Sequence, residues 1–280
     1  MEPEMQRAPL FLALILSACA CASTAPSHSD DNAVQAASTA ALQAAIHAPG
    51  RSAANRARDG YRHPLQTLQF FGVQPNQTVI EITPGGGWYS ELLAPYLNAS
   101  GQYIAAVPAA AAGSAGARRN AAFRDTLAAN PASAKATLVA LDAKSPMLAA
   151  GTADVVLTFR NAHNWVAAGN ADAYFRAFFT ALKPGGVLGV VDHRARPGTD
   201  LDTMKTSGYL TEALVTGYAT AAGFVLEASS ELNANPKDDA HHPNGVWTLP
   251  PVNQHDAADD ATYQAIGESD RMTLRFRKPA

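Results

Sequence analysis

The sequence predicts an α/β protein built on a doubly wound, mostly parallel seven-stranded sheet with an antiparallel strand at one edge. Three observations lead there. Short β-branched runs alternate with amphipathic stretches of about 10–15 residues, the pattern of consecutive βαβ units. The first such run ends in a glycine cluster, Pro84-Gly85-Gly86-Gly87, with a helical pattern behind it. The last two strand-like runs have no helical pattern between them, so they are expected to pair antiparallel.

The elements follow in order. Ala33 to Ala48 is alanine-rich, with Val34, Leu42 and Ile46 among its few large apolar residues, and reads as a helix stopped by Pro49-Gly50. Thr78 to Ile82 is the first strand. Trp88 to Leu97 is a helix with Leu92, Leu93 and Tyr96 on one face. Tyr103 to Val107 is the second strand, Arg118 to Ala129 a helix, and Ala136 to Leu141 the third strand, ending at Asp142. Asp154 to Phe159 is the fourth strand and Ala171 to Leu182 an amphipathic helix. Lys183-Pro184-Gly185-Gly186 turns the chain into a fifth strand, Val187 to Val191. Tyr209 to Ala222 is a helix, Phe224 to Ser229 the sixth strand, and Arg271 to Arg277 the seventh. The stretch Asn233 to Asp259 is polar, carries Pro236, Pro243, Pro250 and Pro251, and reads as an ordered or partly ordered insertion.

A chain of 280 residues with 47% hydrophobic and 16% charged residues can bury a core without disulfide staples. Its net charge of −3 leaves no footprint for a polyanion, so nucleic acid is not an expected partner. No apolar run is long enough for a polytopic membrane protein. Pro9 to Ala18 is apolar, too short to span a bilayer, and suits the core of a signal peptide. Leu16-Ser17-Ala18-Cys19 resembles a bacterial lipobox. That resemblance implies removal of residues 1–18, lipidation of Cys19 and anchoring at the periplasmic side of the outer membrane. Ordinary cleavage near Ala22 or Ala25 is the alternative. Both cysteines, Cys19 and Cys21, lie in this segment, so from Ala22 onward there is neither a structural disulfide nor a catalytic thiol. Residues 19–32 read as a tether, 33–60 as an N-terminal helical segment and 61–280 as the folded domain, with the polar insertion at 233–259.

Strand, glycine turn, helix is the arrangement that docks nucleotide-like ligands, although a simple tight turn also explains it. The spacing is not that of the dinucleotide fingerprint. Tyr-x-x-x-Lys and Gly-Lys-Ser/Thr are both absent from the sequence. The run from Val79 to Leu97 (VIEITPGGGWYSELLAPYL) resembles motif I of class I S-adenosylmethionine-dependent methyltransferases. Leu141-Asp142-Ala143, Asp154-Val155-Val156 and Leu182-Lys183-Pro184-Gly185-Gly186 resemble further landmarks of that family, in order. Tyr61-Arg62-His63-Pro64, Phe159 to Trp165, Val191 to Arg194 and Gly267-Glu268-Ser269-Asp270 resemble a bacterial group of exported predicted methyltransferases. The likeness covers roughly residues 50–280.

The resemblance implies a Rossmann-like sheet, S-adenosyl-L-methionine as cofactor, and methyl transfer to a small-molecule or envelope acceptor. Carried over residue by residue, it places Glu81, Thr83, Gly85, Gly86, Gly87, Asp142 and Arg160 around the cofactor. Two positions depart from the family pattern. Thr83 stands at its first glycine, and Val107 stands where an acidic residue grips the ribose hydroxyls.

Ligands in open α/β sheets bind beyond the carboxyl ends of the strands, so the residues after each strand are the candidates for chemistry. After the fourth strand, His163 suits a general base, Asn161 or Asn164 an acceptor-orienting group, and Trp165 a pocket wall. The same loop also reads as a hydrogen-bonded turn whose tryptophan packs on the core. After the fifth strand, Asp192 and His193 either join that chemistry or form, with Arg194, an ion pair that fixes the loop. Asp59, Arg62 and His63 either cap the pocket as a lid or make a surface turn. Asp238, Asp239, His241, His242 and His255 have metal-ligand side chains but no zinc-like spacing, so they read as a solvated loop and no metal is assigned. The alternative to an enzyme is a non-catalytic envelope protein that keeps the fold and binds another ligand or partner.

Overall fold

The computed structural model describes Met1 and residues 28–280. The expected signal segment, Cys19 and residues 19–27 of the expected tether lie outside the described residues. Four helices come first: α1 (His28–Ile46), α2 (Ala53–Arg56), α3 (Asp59–Arg62) and α4 (Pro64–Phe70). Helix α1 thus reaches back over residues 28–32, which the sequence reading leaves in the tether. Then follow β1 (Thr78–Ile82), α5 (Ser90–Leu97), β2 (Gln102–Pro108), α6 (Ala115–Ala128), β3 (Thr137–Leu141) and β4 (Ala153–Phe159). The chain continues through α7 (Ala162–Ala168), α8 (Ala171–Ala181), β5 (Leu182–His193), α9 (Leu201–Ser207) and α10 (Glu212–Ala221). It closes with β6 (Val225–Ser230), α11 (Asp260–Ile266) and β7 (Arg271–Arg277).

Two differences from expectation bear on the sheet. The Lys183–Gly186 turn is part of a longer β5, because Leu182 already pairs with Ala153 ahead of a register shift. A short helix, α11, sits between the last two strands, which nevertheless pair antiparallel.

The seven strands form one sheet in the order β3-β2-β1-β4-β5-β7-β6. The neighbours from β3 through β5 are parallel, and β7 runs antiparallel to both β5 and β6. From β1 the chain steps outward through β2 to β3, whereas β4 and β5 lie on the opposite side. The order therefore reverses between β1 and β4, and the crevice beyond their carboxyl ends is where such sheets take ligands.

The two-residue period of a strand divides the apolar side chains between two cores. Val79, Val155 and Leu157 pack with Leu42 and Ile46 of α1, Leu68 of α4, and Leu92 and Leu93 of α5. Ile80, Ile82 and Val156 pack with Trp165 of α7, Phe175 and Phe178 of α8, and Val215 of α10. Helices cover both faces, which suits strands that are apolar on both sides. Among the described residues, no helix is long and apolar enough to cross a membrane.

Gly189 shows how tightly the first of these cores is filled. It lies in the middle of β5, where a Cβ would come within 2.7 Å of Leu157 and 2.8 Å of the Phe71 ring. The replacement Gly189→Ala is expected to cost about 1–3 kcal/mol through overpacking. Urea unfolding measures it, and an unchanged midpoint would contradict this packing.

The polar insertion is anchored. Asn233 is buried and donates to Thr67 Oγ1 (3.3 Å) and Thr273 Oγ1 (2.9 Å), while Val246 and Leu249 are buried in the domain. Asp238 is buried as well, accepting from Tyr209 Oη at 2.9 Å and from the Asp270 backbone N–H at 2.7 Å. The Ala240 N–H at 2.9 Å and His242 Nε2 at 2.8 Å complete its surroundings. The solvated loop expected around Asp238 is in fact a packed corner, because one buried carboxylate satisfies donors from several segments at once.

Candidate ligand-binding site

Strand β1 delivers the chain to the crevice, and the glycine turn carries it onward into α5. Thr83, Gly85 and Gly87 have φ of 49°, 60° and 78°, a conformation glycine adopts freely and threonine at a cost of order 1 kcal/mol. The Thr83 N–H donates to Ala106 O at 2.8 Å, which extends the β1–β2 ladder by one residue and holds the turn in place. A Cβ on Gly85 or Gly86 would meet nothing within 4 Å, so open space borders that backbone. On Gly87 it would lie 3.0 Å from the Phe123 ring, which lets α6 close against the turn.

Of the cavities that border this turn, two share Thr83, Pro84 and Gly85 in their walls. One, of about 270 Å³, is bounded further by Glu81, Gly86, Trp88, Tyr89, Phe159, Arg160 and Asn161, with Asn55, Arg58 and Arg62 reaching over it from the N-terminal helices. The other, of about 290 Å³, is bounded by Val107 to Ala110 from β2 and by Gly116, Arg119, Asn120 and Phe123 from α6. Val107 presents only carbon to it.

Glu81 is buried at the end of β1, where it accepts from Tyr103 Oη at 2.6 Å and Ser90 Oγ at 2.9 Å. Burial pushes its carboxyl up to about 7, against the pull of those two hydrogen bonds. A carboxyl raised on folding contributes stability below its unfolded value of 4.5 and loses it as pH rises through about 7. Wild type is therefore expected to lose stability relative to Glu81→Gln between those two values. Parallel unfolding curves for the two proteins across that range would contradict the assignment.

Asn161 ties the exit of β4 to that of β1, its Nδ2 donating to Ile82 O at 2.9 Å. Arg160 precedes it at φ 61°, with its N–H on Val191 O at 2.7 Å. Arg62 is 4% exposed, with its guanidinium 4.8 Å from the centre of the Trp88 ring. A single carboxylate, Glu268, accepts from Arg58 Nε at 2.6 Å, Arg62 Nε at 3.3 Å and Arg271 Nη1 at 3.0 Å. Burial, then repulsion from Arg160, brings Arg62 down to about 9. Burial is also the main cause that brings Arg160 to about 10. For Glu268, burial pushes upward, but Arg271, Arg62, Arg58 and Arg160 together hold it below the usual carboxylate range.

His163 and Asp192 do meet. His163 Nδ1 lies 2.8 Å from Asp192 Oδ1, and the fully buried carboxylate also takes the N–H groups of His163 (3.3 Å) and His193 (2.8 Å). His193 in turn lies 5.0 Å from His163, ring to ring, and its Nδ1 faces Ser269 Oγ at 2.5 Å. Burial, with positive charge around it, keeps His193 well below the usual histidine value. His163, Asp192 and His193 hold metal-ligand atoms within 4.8 Å of one another, as do Asp238, Asp239 and His242. The central carboxylate of each set is already occupied by protein donors. None of His163, Asp192 and His193 borders the two cavities by the turn.

Other expected site residues fall elsewhere. Trp165 stacks on Tyr174 at 4.2 Å inside the core, not on a pocket wall, since α7 turns its large apolar surface toward α8. Asn164 is exposed on α7. Asp142 is exposed beyond β3, accepts from the Lys144 N–H at 2.8 Å, and borders neither cavity. His63, at φ 42°, joins α3 to α4 and lies 3.5 Å from Asn233 Oδ1, while its neighbour Arg62 is the residue that reaches the cavity. Arg194 pairs with Asp270 and Glu231, not with Asp192. Arg58, Trp88, Tyr89 and Phe159 were missed as lining residues; position after the glycine turn is the only signal for Trp88 and Tyr89 and the end of β4 the only one for Phe159, while nothing local marks Arg58, which lies ahead of α3 and α4.

No family model matches the chain, and no curated protein matches it. Solved structures do. A S-adenosylmethionine-dependent methyltransferase from Aquifex aeolicus superposes with a TM-score of 0.53 at 12% identity, over 86% of this chain and 98% of its own. A Galdieria sulphuraria protein, provisionally named a sarcosine dimethylglycine methyltransferase, gives 0.53 at 16% identity, over 80% of this chain and 85% of its own. The chain shares the methyltransferase fold. That fold also carries other chemistry: the [4+2]-cyclase SpnF superposes at 0.50 with 17% identity, over 89% of this chain and 95% of its own. Function therefore has to be argued from the site.

Proposed function

We propose that the chain is a class I S-adenosylmethionine-dependent methyltransferase of the exported group its motifs resemble, with the cofactor along the glycine turn. The observation that carries this is the turn itself, which stands between two cavities at the point where the strand order reverses. Bound there, the cofactor supplies a methyl group activated by its sulfonium. Gly85 and Gly86 offer bare backbone to it, Glu81 and Asn161 brace the turn, and Val107 and Phe123 wall its adenosine end. The chain's task is then to align donor and acceptor and exclude water, and a base is needed only for an acceptor that must lose a proton. His163 and Asp192 act as positioning residues that fix the exit of β4. The test is calorimetric titration of S-adenosylmethionine and S-adenosylhomocysteine into the full chain in detergent. Micromolar binding, lost in Gly85→Val, is expected, and no binding up to millimolar overturns the proposal.

One observation favours a second reading, a binding protein without turnover. Val107 cannot accept a hydrogen bond from a ribose hydroxyl. Losing a charge-assisted pair there costs about 1.5–3 kcal/mol, roughly one to two decades in affinity. Tight binding of a different ligand, with none of this cofactor, would support that reading.

The Leu16–Cys19 pattern supports export, with Cys19 lipidated and the domain held at the outer membrane. Mass spectrometry of the mature N-terminus is expected to find diacylated Cys19. A mature chain beginning at or after Ala22 would contradict it.

A further inference from the structure

We infer that Arg58, Arg62 and Arg160 form an oxyanion site beside the glycine turn, and that it receives a carboxylate or phosphate of the methyl acceptor. The acceptor half of this inference rests on the methyltransferase reading above. All three arginines line the same cavity. The Nη2 atoms of Arg58 and Arg62 are buried with no hydrogen-bond partner among the described residues, and Arg62 is only 4% exposed. Arg160 feels Glu268 and Asp192 through space and donates no hydrogen bond to a carboxylate among the described residues. A buried guanidinium donor left unpaired is costly, and natural sites keep such groups where a ligand completes them.

The balance of charge shows which ligand. Glu268 is shared by Arg58, Arg62 and Arg271, so it cannot also neutralise Arg160. The carboxyl that does line the cavity, Glu81, is turned to Tyr103 and Ser90. The cavity is therefore cationic. S-adenosylmethionine brings a sulfonium and an ammonium against one carboxylate, so by itself it adds positive charge to a positive site. A second anion offsets that surplus, and the planar fork of a guanidinium matches a carboxylate or phosphate in geometry. The aromatic walls from Trp88, Tyr89 and Phe159 exclude water and strengthen these contacts.

Inorganic phosphate is the probe. It is titrated calorimetrically into the full chain in detergent, alone and saturated with S-adenosylhomocysteine. The expected result is binding that persists with S-adenosylhomocysteine present and weakens roughly tenfold or more in Arg160→Gln. Because the Arg160 side chain holds no carboxylate among the described residues, that variant is expected to keep the wild-type melting temperature. Arg62→Gln serves as the second variant if it also melts like wild type. Phosphate displaced competitively by S-adenosylhomocysteine would make the cofactor's own carboxylate the occupant and overturn the acceptor assignment. No phosphate binding, or equal binding by wild type and Arg160→Gln, would overturn the site. Phosphate binding without any binding of S-adenosylhomocysteine would overturn the methyltransferase reading and leave the oxyanion site standing.

Discussion

Replacing Glu268 with alanine is expected to destabilise the domain by about 3–5 kcal/mol, the usual cost of breaking a buried ion pair from one side. Glu268 is 2% exposed and is the shared partner of Arg58, Arg62 and Arg271. Its loss leaves three guanidinium groups facing one another, with Arg160 close behind. The arginines hold the folded carboxylate below its usual range, so its contribution is present above the unfolded value of 4.5 and fades as pH falls below it. The gap between wild type and Glu268→Ala in urea unfolding should therefore narrow in acid. A gap below about 1 kcal/mol at neutral pH would mean that the arginines are held by packing and solvent instead.

The second large effect is a gain. Val107→Asp is expected to tighten S-adenosylhomocysteine binding by roughly 10- to 100-fold, by putting an ionised acceptor at the end of β2. Val107 borders the cavity shared with Thr83, Pro84 and Gly85, so a carboxylate there faces the ligand side of the turn. Val107→Leu is the control for shape, and its affinity should stay near that of wild type. If Val107→Asp binds no better than wild type, the ribose does not lie against β2, and the adenosine end of the proposed pose is wrong.

Much of the fold was legible because it is local. Strands such as β1, β4 and the second half of β5 are short apolar runs and β7 alternates apolar with polar, and the glycine turn is readable because positive φ at Gly85 and Gly87 leaves a mark on composition. The site was legible only in part. Asn161 and Arg160 lie at the crevice as their position after β4 implies, and Glu81 lies beneath the turn. Trp165 was ambiguous, since one helix offers a tryptophan equally to a pocket or to a core. Apolar area decided for the core, where Tyr174 and Phe178 were waiting. The aspartates and histidines of the insertion read as a solvated loop because nothing local marks Asp238 as buried. Its donors, Tyr209 and the Asp270 backbone, lie 29 and 32 residues away.

By itself, then, the sequence determined the alternation of strands and helices, the turn after β1, and the apolar side chain of Val107 that closes β2. These depend on periodicity and on single-residue chemistry, which a linear chain displays in full. Only the tertiary structure decided that Arg58 and Arg62 meet Glu268 across 210 and 206 residues, and that Arg160 stands beside them with no carboxylate of its own among the described residues. Charge balance in a cavity is a property of distance in space. It arises only when the N-terminal helices, the end of β4 and the start of β7 are brought to one edge of the sheet.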